Sequence, residues 1–133
     1  MSAERATYLD SSAIVKLAVR EPESATLRRY LRRKQPLVTS ALSRTEVARA
    51  LLPFGEDTVA RGVEVLQRLD VVRINDRVLR AAGTLLPLEL RSLDAIHLAT
   101  ASQLGDDLAR LCTYDERMAG AATEMGLTVV APA

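Results

Sequence analysis

The chain has 133 residues, 48% of them hydrophobic, and 18 Lys and Arg against 17 Asp and Glu leave a formal net charge of +1. That length bounds it to one globular domain spanning residues 1–133, and the near-neutral balance excludes recognition of nucleic acid by bulk charge, leaving only local patches. The single cysteine, Cys112, excludes an internal disulfide and a cysteine-based zinc site, while the single histidine, His97, excludes a two-histidine ribonuclease mechanism.

These features fit a reducing, cytoplasmic compartment. The apolar stretch Ala13 to Val19 follows Asp10 and contains Lys16, so it does not read as a signal peptide, and no run is long enough to span a membrane. Sixteen of the basic residues are arginines, whose planar fork suits phosphate and carboxylate, although high-GC coding would produce the same bias.

In chain order, Ala6 to Leu9 reads as a first strand ending at Asp10, and Ser11 to Val19 as a helix. The turn Glu21-Pro22-Glu23 opens a second helix, with proline and acids in its first turn, that runs to about Lys34. Leu37 to Ser40 forms a second strand. Helices follow over Ala41 to Leu52 and Thr58 to Leu69, then a third strand over Val71 to Ile74 and a helix over Asp76 to Leu86. The apolar helix from Ser92, with Ser92 as its cap, runs to about Gly105. Ala109 to Thr113 is a fourth strand, Glu116 to Met125 a helix closed by Gly126, and Leu127 to Ala131 a final strand.

Strands separated by helices imply crossover connections, so the fold class is α/β, with a parallel sheet covered by helices on both faces. Such a sheet ends all its strands on one edge. Asp10 and Asp115 follow strands one and four, Glu46 lies in the helix leaving strand two, and Asp94 begins the helix that leads into strand four. All four acids therefore project toward the carboxyl edge, where open α/β sheets bind ligands.

Each acid alone also has a structural reading. Asp10 and Asp115 could cap helices, Glu46 could pair with Arg49, and Asp94 could meet a helix dipole. Four carboxylates gathered on one edge would repel one another unless a cation neutralised them. A hard ion such as Mg²⁺, or alternatively Mn²⁺, suits an all-oxygen donor set, whereas zinc lacks its usual ligands.

The segments L-D-S-S-A-I-V-K-L around Asp10, T-E-V-A-R-A-L around Glu46, L-D-A-I-H-L-A-T-A around Asp94 and C-T-Y-D-E-R-M around Asp115 together resemble the PIN domain, and within it the VapC-type ribonuclease toxins of toxin–antitoxin pairs. The resemblance covers essentially the whole chain. It implies a sheet of about five strands ordered 3-2-1-4-5 and Asp10, Glu46, Asp94 and Asp115 as catalytic and metal-holding residues. It also implies Ser12 and Thr113 as supporting hydroxyls, Mg²⁺-dependent cleavage of RNA, a homodimer, and a small VapB-type antitoxin as partner. The chemistry expected of such a site is hydrolysis by metal-activated water, leaving 5′-phosphate and 3′-hydroxyl ends. Tight packing of the Asp94 helix is expected to hold the ligands in place before the ion arrives.

Other residues divide between two readings. His97, in so apolar a helix, reads first as hydrogen-bonded core and second as a group near the site. Arg28, Arg29, Arg32, Arg33 and Lys34 read as a solvated helix face, or as a contact for RNA or antitoxin. Arg91 and Arg117 are placed to contact phosphate or to balance the acids. Phe54, the only phenylalanine, reads as a core anchor ahead of a partner contact.

Two rival enzyme classes fail on residue type. A D-x-D phosphotransferase would need an acid where Ser12 stands, and a phospho-receiver domain would need an acidic pair after strand one and a lysine after the last strand. A non-toxin PIN nuclease of RNA processing, and a PIN-like module that binds RNA or protein without cutting, remain as alternatives.

Overall fold

The computed structural model describes residues 5–133, so the first four residues of the expected 1–133 domain lie outside the described residues. Strand β1 (Ala6–Leu9) leads into α1 (Ser11–Ala18) and α2 (Ser24–Leu31), and β2 (Leu37–Ser40) into α3 (Leu42–Leu51) and α4 (Glu56–Gln67). Then come β3 (Asp70–Val72), α5 (Asp76–Gly83), α6 (Ser92–Ser102), β4 (Leu108–Cys112), α7 (Glu116–Glu124) and β5 (Val129–Val130). The five strands form one parallel sheet ordered β3-β2-β1-β4-β5. This is the fold class and strand order that the resemblance implies.

The order explains the burial. Strands β1 and β2 have neighbours on both sides and are buried along their whole length, while the edge strands β3 and β5 are not. Chain direction reverses its progress across the sheet between β1 and β4, so the crevice beyond their carboxyl ends is the strand-order switch point. Two apolar clusters cover the sheet. One is built on Leu9, Ile14, Leu27, Val47 and Leu51. The other is built on Tyr8, Val38, Leu98, Leu111 and Met118. Full burial of each such leucine stabilises the fold by roughly 1.5–3 kcal/mol.

Several element boundaries differ from the periodicity-based expectation. The second helix begins at Ser24 and stops at Leu31, so Glu21-Pro22-Glu23 is a turn before the helix and no acid occupies its first turn. Ser24 fixes that start, with its Oγ accepting from Glu21 N at 3.0 Å and donating to the Val19 carbonyl at 3.0 Å. The chain beyond Leu31 is heading for Pro36, and the residue before a proline is poorly suited to helix. The third strand is Asp70–Val72, displaced toward the N-terminus because it pairs with β2 from Asp70 onward. Helix α5 stops at Gly83, three residues short of Leu86, and the last strand is only Val129–Val130.

Two side-chain expectations are also corrected. Ser92 does not cap α6, because Arg91 occupies that position and no side chain bonds there. Phe54 is no core anchor, being 66% exposed on a short turn between α3 and α4. Proline at that turn prevents α3 from continuing and leaves the phenylalanine at the surface. Among the described residues no helix is long and apolar enough to cross a membrane.

Helix α3, which carries Glu46, is set in place by a close approach to α4. A Cβ on Gly62 would stand 2.6 Å from Leu51 Cδ1 and 3.1 Å from Val47 Cγ1. Both neighbours are fully buried and have little room to turn away. Gly62→Val is therefore expected to destabilise the protein by about 1–3 kcal/mol through overpacking, outweighing any helix-propensity gain, as chemical denaturation would measure.

Candidate active site

Asp10 stands immediately after β1 and is 3% exposed. The structure surrounds it with donors. Oδ1 accepts from Ser12 Oγ at 2.7 Å and from Ala13 N at 3.1 Å, and Oδ2 accepts from Thr113 Oγ1 at 2.6 Å. Asp10 is thus the N-cap of α1 and also the floor of the crevice. Burial pushes its carboxyl above the usual range, and the three hydrogen bonds work against that rise.

The two hydroxyls extend the arrangement. Ser12 Oγ accepts from Tyr114 N at 2.9 Å, and Thr113 Oγ1 accepts from Asp115 N at 3.1 Å. The start of α1 is thereby tied to the end of β4 across the switch point. Asp115 caps α7, its Oδ1 accepting from Arg117 N and Met118 N at 2.9 and 3.1 Å.

Glu46 projects from the second turn of α3. Its Oε1 accepts from Ser11 Oγ and from His97 Nε2, each at 2.6 Å, rather than pairing with Arg49. Burial acts to raise its carboxyl, but the bonds from His97 and Ser11 outweigh it and hold Glu46 below its ordinary value. Asp94 differs from the other three. It accepts no hydrogen bond from a side chain or cap among the described residues, and burial together with the charge of Asp115 pushes it above the usual range. The charge of Glu46 adds to that rise, while His97 and Arg91 oppose it.

The four predicted acids thus share one edge of the sheet, and Asp94 lies within reach of the charges of Asp115 and Glu46. No lysine or arginine forms an ion pair with any of them among the described residues. Hard oxygen donors in mutual repulsion without basic partners suit a divalent cation of the Mg²⁺ type in donor chemistry. Their spacing departs from expectation, because among the described residues no three acidic, histidine or cysteine side chains converge closely enough to enclose an ion directly. A partly hydrated ion, which keeps several of its waters, is the form that suits so open a set.

The arginine cluster is not brought to this edge. Arg28, Arg29, Arg32 and Arg33 are exposed at the tail of α2, which delivers the chain to the start of β2 at the opposite edge. Arg91 is near enough to act on the charge of Asp94, and Arg117 donates its backbone N–H to Asp115. Cys112 lies beneath Asp10, and burial with the charge of Asp10 pushes its thiol up to about 12, so it is inert. Sequence reasoning missed Ser11 and Tyr8 altogether. The signal for Tyr8 was its position two residues before Asp10, on the same face of β1.

This geometry at the carboxyl edge of a 3-2-1-4-5 sheet defines a class, and the family comparison agrees: the PIN domain model matches residues 7–124, and the chain belongs to the PIN domain family. Within that family it is of the VapC type, being 64% identical over 127 residues to ribonuclease VapC46 of Mycobacterium tuberculosis, a match covering 96% of this chain and 98% of the relative. Solved structures share the fold. The crystal structure of Mycobacterium tuberculosis VapC20, a sarcin-ricin loop cleaving toxin, aligns with a TM-score of 0.76 at 17% identity over 95% of this chain and 99% of that one. A toxin–antitoxin complex from Klebsiella pneumoniae aligns with a TM-score of 0.71 at 22% identity, covering 96% and 98%.

The raised Asp94 carboxyl has a defined consequence for stability. Asp94 binds its proton more tightly in the folded chain than in the unfolded one, so its ionisation destabilises the fold above the raised value, and that cost vanishes below the ordinary carboxylate range. Asp94→Asn should therefore raise Tm at pH 7 in EDTA, and its advantage over the natural chain should shrink as pH falls below about 4. Thermal denaturation across that range is the check, and an unchanged Tm at pH 7 would contradict it.

Proposed function

We propose that the protein is a metal-dependent endoribonuclease, the toxin of a VapBC-type pair, acting in the cytoplasm. The observation that carries this reading is the placing of four carboxylates without lysine or arginine partners at the switch point, with Asp94 held above its ordinary range by burial and by the charges of Asp115 and Glu46. The similarity to ribonuclease VapC46 supports the substrate class, and the structural likeness to a toxin–antitoxin complex supports a small antitoxin as partner. The homodimer implied by the family remains part of the proposal.

Asp10, Glu46, Asp94 and Asp115 would hold Mg²⁺, directly or through water, with Mn²⁺ as a substitute. When bound, the ion supplies activation of water and neutralisation of charge on the scissile phosphate. The chain's own residues do the rest. Ser12 and Thr113 fix both oxygens of Asp10, so its carboxylate has one orientation toward the crevice. Ser11 and His97 occupy Oε1 of Glu46 and leave Oε2 without a hydrogen-bond partner among the described residues. Arg91, beside Asp94, is placed to meet substrate phosphate. With water as nucleophile, the products carry 5′-phosphate and 3′-hydroxyl ends.

The deciding experiment uses protein stripped of copurified partner and refolded, with structured RNA, in Mg²⁺ or EDTA. Cleavage is expected in Mg²⁺ alone, with 5′-phosphate ends, and Asp10→Asn should reduce it to background. Cleavage in EDTA, or a 2′,3′-cyclic phosphate product, would overturn the proposal. Asp10→Asn is preferable to Asp10→Ala, because truncation removes the α1 cap at a cost of roughly 0.5–2 kcal/mol and strips Thr113 of its acceptor. Expression should arrest growth, with relief by a small co-expressed neighbour.

A further inference from the structure

Behind Glu46 lies a hydrogen-bonded chain that runs into the core. Tyr8 and His97 have 0% and 1% exposure, and their rings meet edge to face with centroids 5.9 Å apart. Tyr8 Oη lies 2.7 Å from His97 Nδ1, and His97 Nε2 lies 2.6 Å from Glu46 Oε1.

The chemistry of the ends fixes the direction of the bonds. An ionised carboxylate only accepts, so Nε2 carries the proton and donates to Glu46. In the neutral ring Nδ1 is then an acceptor, and the Tyr8 hydroxyl is the donor facing it. The Tyr8 phenol is fully buried against the ring and carries an O–H to give. Each link therefore has one donor and one acceptor.

From this geometry we infer that His97 is a positioning residue for Glu46, and that Tyr8, bonded to the opposite ring nitrogen, holds the imidazole in the orientation that lets it act. The inference rests on the metal-site reading of Glu46. His97 occupies Oε1 from the core side, and Ser11 occupies the same oxygen from α1, so the carboxylate is locked with Oε2 as its unpartnered atom. Asp94 lies one helical turn before His97 on α6, so one helix both presents a bare carboxylate and orients its counterpart on α3. Outer-shell partners of this kind typically change metal affinity about 10–100-fold when removed.

His97 is the only histidine in the chain, so untagged protein labelled with ¹⁵N gives one pair of imidazole nitrogen signals. In the metal-free protein with a neutral ring, the protonated nitrogen is expected to be Nε2, and Tyr8→Phe should leave the proton there while shifting the Nδ1 signal, which loses its hydrogen-bond donor. Mg²⁺ titration by calorimetry should show binding weakened about 10–100-fold in His97→Ala, with partial recovery in His97→Gln, whose amide N–H can again reach Glu46. The cleavage rate kcat should fall more than KM rises for RNA. A proton on Nδ1 overturns the inference whatever the metal does. Unchanged Mg²⁺ affinity in folded His97→Ala, beside normal binding and cleavage by the natural chain, overturns it while leaving the nuclease reading intact. Failure of the natural chain to bind Mg²⁺ or cut RNA overturns the nuclease reading, and this assignment with it. Should His97→Ala not fold, His97→Gln and Tyr8→Phe carry the same comparison.

Discussion

A carboxylate taken out of water at the end of a central strand is the constraint from which the rest of this site follows. Asp10 is almost fully buried, and an ionised group in that position requires donors on both oxygens. Ala13, Ser12 and Thr113 supply them. Because Thr113 follows β4 and Ser12 belongs to α1, satisfying Asp10 also closes the switch point. The hydroxyls then accept from Tyr114 N and Asp115 N, which sets the path of the chain into α7. A structural demand and a site-building demand are here met by the same bonds, so the capping reading of Asp10 and its place among the acids are compatible.

The four acids form a graded series in how fully their oxygens are engaged. Asp10 has donors on both oxygens, Glu46 and Asp115 have two donors on one oxygen each, and Asp94 has none from a side chain or cap. The consequence is electrostatic. The bonds to Glu46 outweigh its burial, whereas burial and the charges of Asp115 and Glu46 push Asp94 up with no hydrogen bond from a side chain or cap to oppose them. An open set of this kind stores unfavourable interaction in the free protein that a cation would relieve. Among the described residues no three acidic, histidine or cysteine side chains enclose an ion directly, and Mg²⁺ characteristically keeps several of its waters.

Much of this was legible in the residues. The alternation of strands and helices dictated a parallel sheet, and a parallel sheet dictated that acids following strands, or opening the helices between them, share an edge. Helix boundaries were less legible, because α2 ends where the approach to Pro36 makes helix unfavourable and not where its polar pattern ends. Phe54 misled for a related reason: hydrophobicity argues for burial, but its place on a proline turn between two packed helices left no core within reach. The tail of α2 was recognised as basic, yet its distance from the acids depends on which edge of the sheet the helix returns to.

The sequence by itself determined the fold class, the edge on which Asp10, Glu46, Asp94 and Asp115 lie, and the hard-oxygen character of their donor set. These follow from local periodicity and residue type, which act over a few positions. Only the tertiary structure decided that Glu46 answers to His97 and Ser11 and not to Arg49, and that Tyr8 faces the histidine from the core. It also decided that no three acidic, histidine or cysteine side chains among the described residues converge to enclose an ion directly. Those outcomes depend on distances between groups 35 to 89 residues apart in the chain. Contacts at such separations are fixed by how helices pack on a sheet, which no local pattern encodes.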